Sequence, residues 1–218
     1  MQRPRDTPST VVFDLGGVLI DWDSRYLFRK LLPDDAAVET FLAEVCTGEW
    51  NTAQDAGRSW AEAVAEASAR VPDQADLVAA YDERWEEMIG GEIEGSVEVL
   101  RHLRNRGVPL YALTNWSADK FDLTFPRFEW LSWFDGIVVS GRERIVKPDL
   151  RIFRILLERY AIDPAATVYV DDVEVNVEAA RSLGLTGLLF TGSDHLRREL
   201  ARLGLLPALR RLEPDPSP

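Results

Sequence analysis

Five short apolar runs, each stopping on polar or small residues, set the limits on what this chain can fold into. They are 10–14 (TVVFD), 108–113 (VPLYAL, then Thr114-Asn115), 136–140 (GIVVS, then Gly141), 167–170 (TVYV, then Asp171-Asp172) and 185–190 (then Thr191-Gly192). Near-continuous apolar runs, without polar alternation, describe strands covered on both faces, as in a parallel sheet. Helical patterns separate them. Ser96 is the expected N-cap of a helix through Leu100 and Leu103 that Gly107 closes. Asp149 starts another carrying Ile152, Phe153, Leu156 and Tyr160, and residues 176–183 and 195–203 supply two more. The expectation is an α/β, doubly wound Rossmann-like parallel sheet.

One interval breaks this alternation. Some seventy residues between the first strand and Ser96 carry helical periodicity and no convincing strand. Ser24, Asp34 or Asp35, Ser59 and Asp73 are candidate N-caps, and Gly48, Gly57 and Gly90-Gly91 candidate stops. Four helices are therefore expected as an insertion, residues 21–94, into a core made of 1–20 and 95–218. The tail at 213–218 (EPDPSP) reads as low-complexity and frayed.

Composition narrows the function classes. A hydrophobic share of 46% with seven Trp excludes a disordered chain, and 28% charged residues exclude a membrane-embedded one. No window approaches the ~20 apolar residues of a spanning helix, and the first ten residues lack the apolar core of a signal peptide. A soluble cytoplasmic protein is the expectation, with no membrane partner. The net charge of −12 argues against nucleic acid as a partner, because backbone phosphates demand a cationic footprint. Residues 21–98 carry 19 acidic and 6 basic residues, so the acidity belongs to the insertion and the remainder is near neutral. The single cysteine, Cys46, sits in an apolar periodic stretch and is read as core. His102 and His195 are read as surface or packing residues, and Trp60, Tyr81 and Trp85 as core of the insertion.

Ligands of open α/β sheets bind beyond the carboxyl ends of the strands. Those ends carry Asp14, Thr114-Asn115 and Asp171-Asp172, with Lys147 on a short loop after the third strand. Carboxylates converging from different strands repel unless a cation lies between them, and hard oxygen ligands suit Mg²⁺. Lys147 and the metal would cancel charge on a phosphoryl group. Thr114 and the amides of Gly16, Gly17 and Asn115 would bind its oxygens. A carboxylate can attack phosphorus and form an aspartyl-phosphate that water hydrolyses.

The segments FDLGGVL (13–19), LTN (113–115), KPD (147–149) and VDDVEVN (170–176) resemble motifs I to IV of the haloacid dehalogenase-like (HAD) hydrolase superfamily, in order. The long first interval is similar to the helical C1 cap of its subfamily I, and FDxGxV branches with apparent sugar-phosphate phosphatases resemble this chain. The resemblance implies Asp14 as nucleophile and metal ligand, with the Gly16 carbonyl and Asp172 as further ligands and Asp171 in the outer shell. Asn176 falls at a supporting position, Thr114 binds phosphate, and Lys147 neutralises it and orients Asp14. The implied function is an Mg²⁺-dependent phosphatase acting on a small phosphorylated metabolite, with a sugar phosphate as the leading class.

One departure stands out. HAD phosphatases usually carry a general acid/base aspartate two positions after the nucleophile, where this chain has Gly16. Asp21 or Asp23 downstream, or Glu49 from the cap, are the candidate substitutes. Asp21, Glu49, Trp50 in the loop-like TGEWN (47–51) and Trp116 are the candidate substrate-selecting residues. Dehalogenases of the superfamily share the gap, so a metal-independent 2-haloacid dehalogenase is the alternative; they typically lack acidic residues in motif IV, which disfavours it. A non-catalytic binding protein on the same fold is the second alternative.

Overall fold

The structure, a computed structural model, describes residues 8–207. The tail at 213–218 and most of the first ten residues lie outside them. In chain order the elements begin with β1 (Thr10–Phe13), β2 (Ile20–Trp22), α1 (Arg25–Phe28), α2 (Asp35–Glu44), α3 (Gly48–Asp55), α4 (Trp60–Arg70), α5 (Ala75–Glu83) and β3 (Ile89–Glu92). They continue with α6 (Glu94–Asn105), β4 (Leu110–Thr114), α7 (Ala118–Thr124), β5 (Gly136–Val139), α8 (Ser140–Glu143) and α9 (Leu150–Arg159). The chain closes with β6 (Thr167–Asp171), α10 (Glu174–Ser182), β7 (Thr186–Leu189) and α11 (Ser193–Arg202). Among the described residues no helix is long and apolar enough to cross a membrane.

The five apolar runs form one parallel sheet in the order β5-β4-β1-β6-β7. Successive side chains of a strand point to opposite faces, and β1 and β6 show why these runs carry no polar alternation. Val11, Phe13, Val168 and Val170 enter the core shared with α6 (Val97, Leu100, Leu103) and α11 (Leu196, Leu200). Val12 and Tyr169 enter a second core with α9 (Ile152, Phe153, Leu156) and α10 (Ala179, Ala180). Each such side chain, fully buried, contributes roughly 1.5–3 kcal/mol. Phe13 pairs with Val170 on one side and Ala112 on the other, so Asp14 emerges level with Asp171 near the end of β4.

Helices α1 to α5 occupy the interval between β2 and β3. Three of them, α2 to α4, are capped by side chains: Asp34 accepts from Ala37 N at 2.8 Å, Thr47 from Trp50 N at 3.0 Å, and Ser59 from Glu62 N at 3.3 Å. Phe28, Phe41, Trp50, Trp60 and Tyr81 pack into one aromatic cluster, with Trp60 and Tyr81 stacked at 5.8 Å. Cys46 is buried as expected, and burial pushes its thiol up to about 12.

Several local expectations need correction. β2 and β3 form an antiparallel pair inside an interval read as purely helical; at three and four residues they are too short to show a period. Gly90, expected as a helix stop, lies in β3 against Asp21. Gly48 opens α3 rather than ending a helix, whereas Gly57, at φ +93°, follows its end. Ser96 does not cap α6, which starts at Glu94; its buried hydroxyl pairs instead with Ser193 Oγ at 2.9 Å. Asp73 sits in the short turn Pro72–Gln74, and Gln74 precedes α5. Ser24 precedes α1 without a capping hydrogen bond.

One buried hydroxyl ties the inserted helices to the sheet. Ser140 Oγ donates to the Asp55 carbonyl at 2.7 Å and accepts from Trp116 N at 2.9 Å. Trp60 Nε1 reinforces the seam by donating to Ser117 Oγ at 3.0 Å. Gly141 is required there, since a Cβ would lie 2.6 Å from Ala118 N. Ser140→Ala leaves a carbonyl and an amide buried without partners, and is expected to lower unfolding stability by on the order of 1–3 kcal/mol in urea denaturation.

Candidate active site

The carboxyl edge of the sheet gathers a compact group of charges. Lys147 Nζ lies 2.9 Å from Asp14 Oδ2 and 2.7 Å from Asp171 Oδ2. The ammonium and the Asp171 carboxylate are sealed from solvent, and Asp14 is 8% exposed. Asp171 is saturated: beyond Lys147 it accepts from Tyr169 Oη at 2.5 Å, Val173 N at 2.8 Å, and Asn176 Nδ2 at 3.1 and 3.2 Å. Lys147 is placed by Asn115, whose side chain accepts from its amide at 2.8 Å and donates to its carbonyl at 3.2 Å. The Asn115 side chain is thus occupied with the Lys147 segment.

Asp172 completes the acidic cluster, with carboxylate oxygens of Asp14, Asp171 and Asp172 within 4.8 Å of one another. Gly17 makes room for it. Its φ of +71° is the left-handed conformation glycine adopts without strain, and a Cβ there would sit 2.3 Å from Asp172 Oδ2. Three carboxylates against one ammonium leave a deficit of two positive charges. The donors are all hard oxygens. That set fits a divalent cation of the Mg²⁺ type held by Asp14 and Asp172, with Asp171 already committed to its own donors.

A cavity of about 270 Å³ opens beside this group. Gly16, Thr114 and Trp116 share its wall with Asp14, Gly17, Asn115, Lys147, Asp172 and Asn176, whereas Asp171 lies behind Lys147 and does not line it. Neither His102 nor His195 lines it.

The insertion contributes differently from expectation. Residues 48–55 form helix α3 rather than a loop, and residues four apart share a helix face. Asn51 and Asp55 therefore face the cavity together. Glu49 is exposed on another face, and Trp50 points into the aromatic cluster against Trp60 and Tyr81. Asp21 does not reach the cavity either; its Oδ2 accepts from Tyr26 Oη at 2.7 Å. Asp23 accepts from Arg25 N at 2.9 Å and pairs with that guanidinium. Trp85 is buried in the core as expected and also borders the cavity, as does Trp22, which was not anticipated. The capping signal at Thr47 would have revealed α3, and with it the Asn51-Asp55 face.

The model of the haloacid dehalogenase-like hydrolase family matches residues 8–184. The chain is a haloacid dehalogenase-like hydrolase. It is 39% identical over 106 residues to the sesquiterpene phosphatase astK of Aspergillus oryzae, a match covering 48% of this chain and 54% of that one. The chain spans 38% of a second curated relative. A magnesium complex of the HAD family enzyme bt-2542 from Bacteroides thetaiotaomicron superposes with a TM-score of 0.66 at 22% identity, covering 85% of this chain and 94% of the other. The L-2-haloacid dehalogenase RSc1362 superposes at 0.61 and 20% identity, covering 85% and 87%. Both structures share the fold.

Electrostatics of this HAD-like hydrolase follow from burial. Burial pushes the Asp14 carboxyl up, the Lys147 ammonium pulls it down, and Asp171 and Asp172 push it up again. Burial would lower the Lys147 ammonium, but Asp14 and Asp171 hold it above the usual lysine value. Burial and Asp171 raise Asp172. On the opposite wall, burial pushes Asp55 up to about 7, against the pull of the Ser117 amide and Lys147.

A carboxyl raised on folding binds protons more tightly in the folded state than in the unfolded one. Stability then falls as pH rises from the unfolded value, 3.8, to the folded value of about 7. Asp55→Asn removes that cost. Its melting temperature relative to the parent protein is expected to climb across this window and level off above it, by on the order of a few kcal/mol in free energy. Thermal denaturation from pH 4 to 8 measures it, and a difference independent of pH would contradict the buried-carboxyl reading.

Proposed function

We propose that the chain is an Mg²⁺-dependent phosphomonoesterase acting through an aspartyl-phosphate, with residues 21–94 as a cap over the core. The observation that carries this reading is the acidic cluster built around one buried ammonium. Asp14 and Asp172, with the Gly16 carbonyl, would hold Mg²⁺, and Asp171 would support from its saturated position. Bound there, the ion supplies positive charge beside the transferring phosphoryl group.

The chain's own residues do the rest. Asp14 bonds to phosphorus as the P–O bond to the leaving group breaks and that oxygen takes the electron pair. Lys147 opposes the upward push of burial on Asp14 and neutralises phosphoryl charge, while Thr114 and the amides of Gly16, Gly17 and Asn115 hydrogen-bond the equatorial oxygens. Water then attacks the aspartyl-phosphate and frees Asp14 and phosphate. The helical wall opposite shields this intermediate from bulk water.

Fold alone does not separate phosphatase from dehalogenase, because both occur on it. The acid cluster favours phosphate. Without a cation, Asp171 and Asp172 would repel an anionic haloacid and raise Asp14 further. A non-catalytic role is disfavoured by the intact set of Asp14, Thr114, Lys147 and Asp172 in one cavity, with Asp171 buried against Lys147.

For the leaving group, a sugar phosphate is the first class to test, since indole faces pack against sugar rings. Trp22, Trp85 and Trp116 on the cavity wall, together with the similarity to a relative named a sesquiterpene phosphatase, support an isoprenoid monophosphate as the second. The expected result is hydrolysis of p-nitrophenyl phosphate that EDTA abolishes and Mg²⁺ restores, and that Asp14→Asn lowers beyond detection. Metal-independent halide release from 2-chloropropionate without phosphatase activity would overturn the reading. A panel of sugar and isoprenoid monophosphates distinguishes the two classes by kcat/KM.

A further inference from the structure

Phosphate ester hydrolysis needs a proton delivered to the departing alkoxide and one removed from the attacking water. None of the core carboxylates is free for this work: Asp14 attacks, Asp171 is saturated, and Asp172 belongs to the acidic cluster. Gly16 has no side chain, although a Cβ there would meet nothing within 4 Å. The cavity is therefore open where the residue is missing. Asp21, Asp23 and Glu49 lie outside it.

Asp55 fills the vacancy from the other side. It lies at the end of α3, is 7% exposed, and faces the same cavity as Asp14, Thr114 and Lys147. Among the described residues no salt bridge ties it to a cation; Lys147 pairs with Asp14 and Asp171 instead. Its Oδ2 accepts from Asn51 Nδ2 at 3.2 Å, and its backbone carbonyl is pinned by Ser140 to the loop that carries Trp116. The helix end is thus fixed against the segment that follows Thr114. The remaining groups facing it are the Ser117 amide, the Lys147 ammonium and, through the aromatic cluster, Tyr81.

We propose that Asp55 is the general acid and base of this active site, a catalytic residue supplied by the inserted helices in place of a side chain at position 16. The assignment rests on the phosphatase reading. In the first half-reaction the Asp55 carboxyl gives its proton to the leaving oxygen as the P–O bond breaks, producing the alcohol and an Asp55 carboxylate. In the second, that carboxylate takes a proton from water as the water oxygen bonds to phosphorus. The bond to Asp14 breaks, its electron pair returns to the Asp14 carboxylate, and Asp55 is again protonated. The sum is ester plus water giving alcohol plus phosphate. A carboxyl held near 7 by burial exists in both forms at neutral pH, as such a relay requires.

The test is leaving-group dependence. Rapid-quench single-turnover measurements compare the protein with Asp55→Asn on p-nitrophenyl phosphate, whose leaving group needs no proton, and on an alkyl monophosphate. Phosphorylation of Asp14 by the alkyl ester is expected to fall about 10²–10⁴-fold, and by the nitrophenyl ester far less. The slower hydrolysis step should also let the aspartyl-phosphate accumulate. Equal rates for variant and parent on the alkyl ester would overturn the assignment while leaving the phosphatase reading intact. Should Asp55→Asn depress both esters alike, Gly16→Asp in that background decides. Regained alkyl-ester turnover supports a displaced acid/base, and no regain overturns it. A parent protein that hydrolyses neither ester removes the phosphatase reading, and this assignment with it.

Discussion

The ion group around Lys147 is the constraint on which the rest of the site depends. One ammonium, sealed from water, lies within hydrogen-bond distance of carboxylates that end two neighbouring strands. Burying three charges is costly, and the cost is tolerable because every lone pair of Asp171 finds a donor. Those donors come from β6, the turn after it and α10, so the sheet edge, the helix start and the lysine loop must adopt one mutual arrangement. Removing the ammonium would leave two carboxylates buried without a counter-charge, a defect typically worth about 3–5 kcal/mol. Asn115 carries the constraint outward by gripping the backbone of Lys147, and Gly17 by yielding space to Asp172.

The parts of this architecture that could be read from the sequence are those whose physics is local or repetitive. Strands buried on both faces announce themselves as apolar runs, and their polar ends mark one edge of the sheet. Asp14, Thr114, Lys147, Asp171 and Asp172 were legible for that reason. The pair β2–β3 was not, because three or four residues are too few to carry a period. The far wall of the cavity was hidden for another reason. Which face of an inserted helix turns toward the sheet depends on how the insertion docks, and docking here is set by Ser140, Trp60 and the close approach at Gly141. Glu49 and Asp55 lie six positions apart on one helix; the first is solvated and the second is buried.

The acidity of the chain takes on a different meaning at this level. Most of the excess carboxylates of the insertion are solvated, and screening over ~8 Å at physiological salt keeps a solvated face from reaching the cavity beside Lys147. The exception is Asp55, which burial raises to about 7, so it carries less charge near neutral pH than a solvated carboxylate. The same burial opposes folding as pH rises. A group that destabilises the protein while lining its reactive cavity is the usual signature of a function maintained against stability.

The seam at Ser140 has a consequence for timing. Asp14 stands on the sheet and Asp55 on the inserted helices; the Ser140 hydroxyl and the indole of Trp60 hold the two walls in register, beside the Lys120–Asp82 ion pair and a shared hydrophobic core. Loosening that grip would shift Asp55 relative to Asp14 and Lys147, since the Asp55 backbone is held through Ser140 to the segment carrying Trp116. A molecule of water arriving while the walls are apart would meet a nucleophile with no partner to activate it. Chemistry shared between two walls in this way depends on the seam between them as much as on the groups that line it.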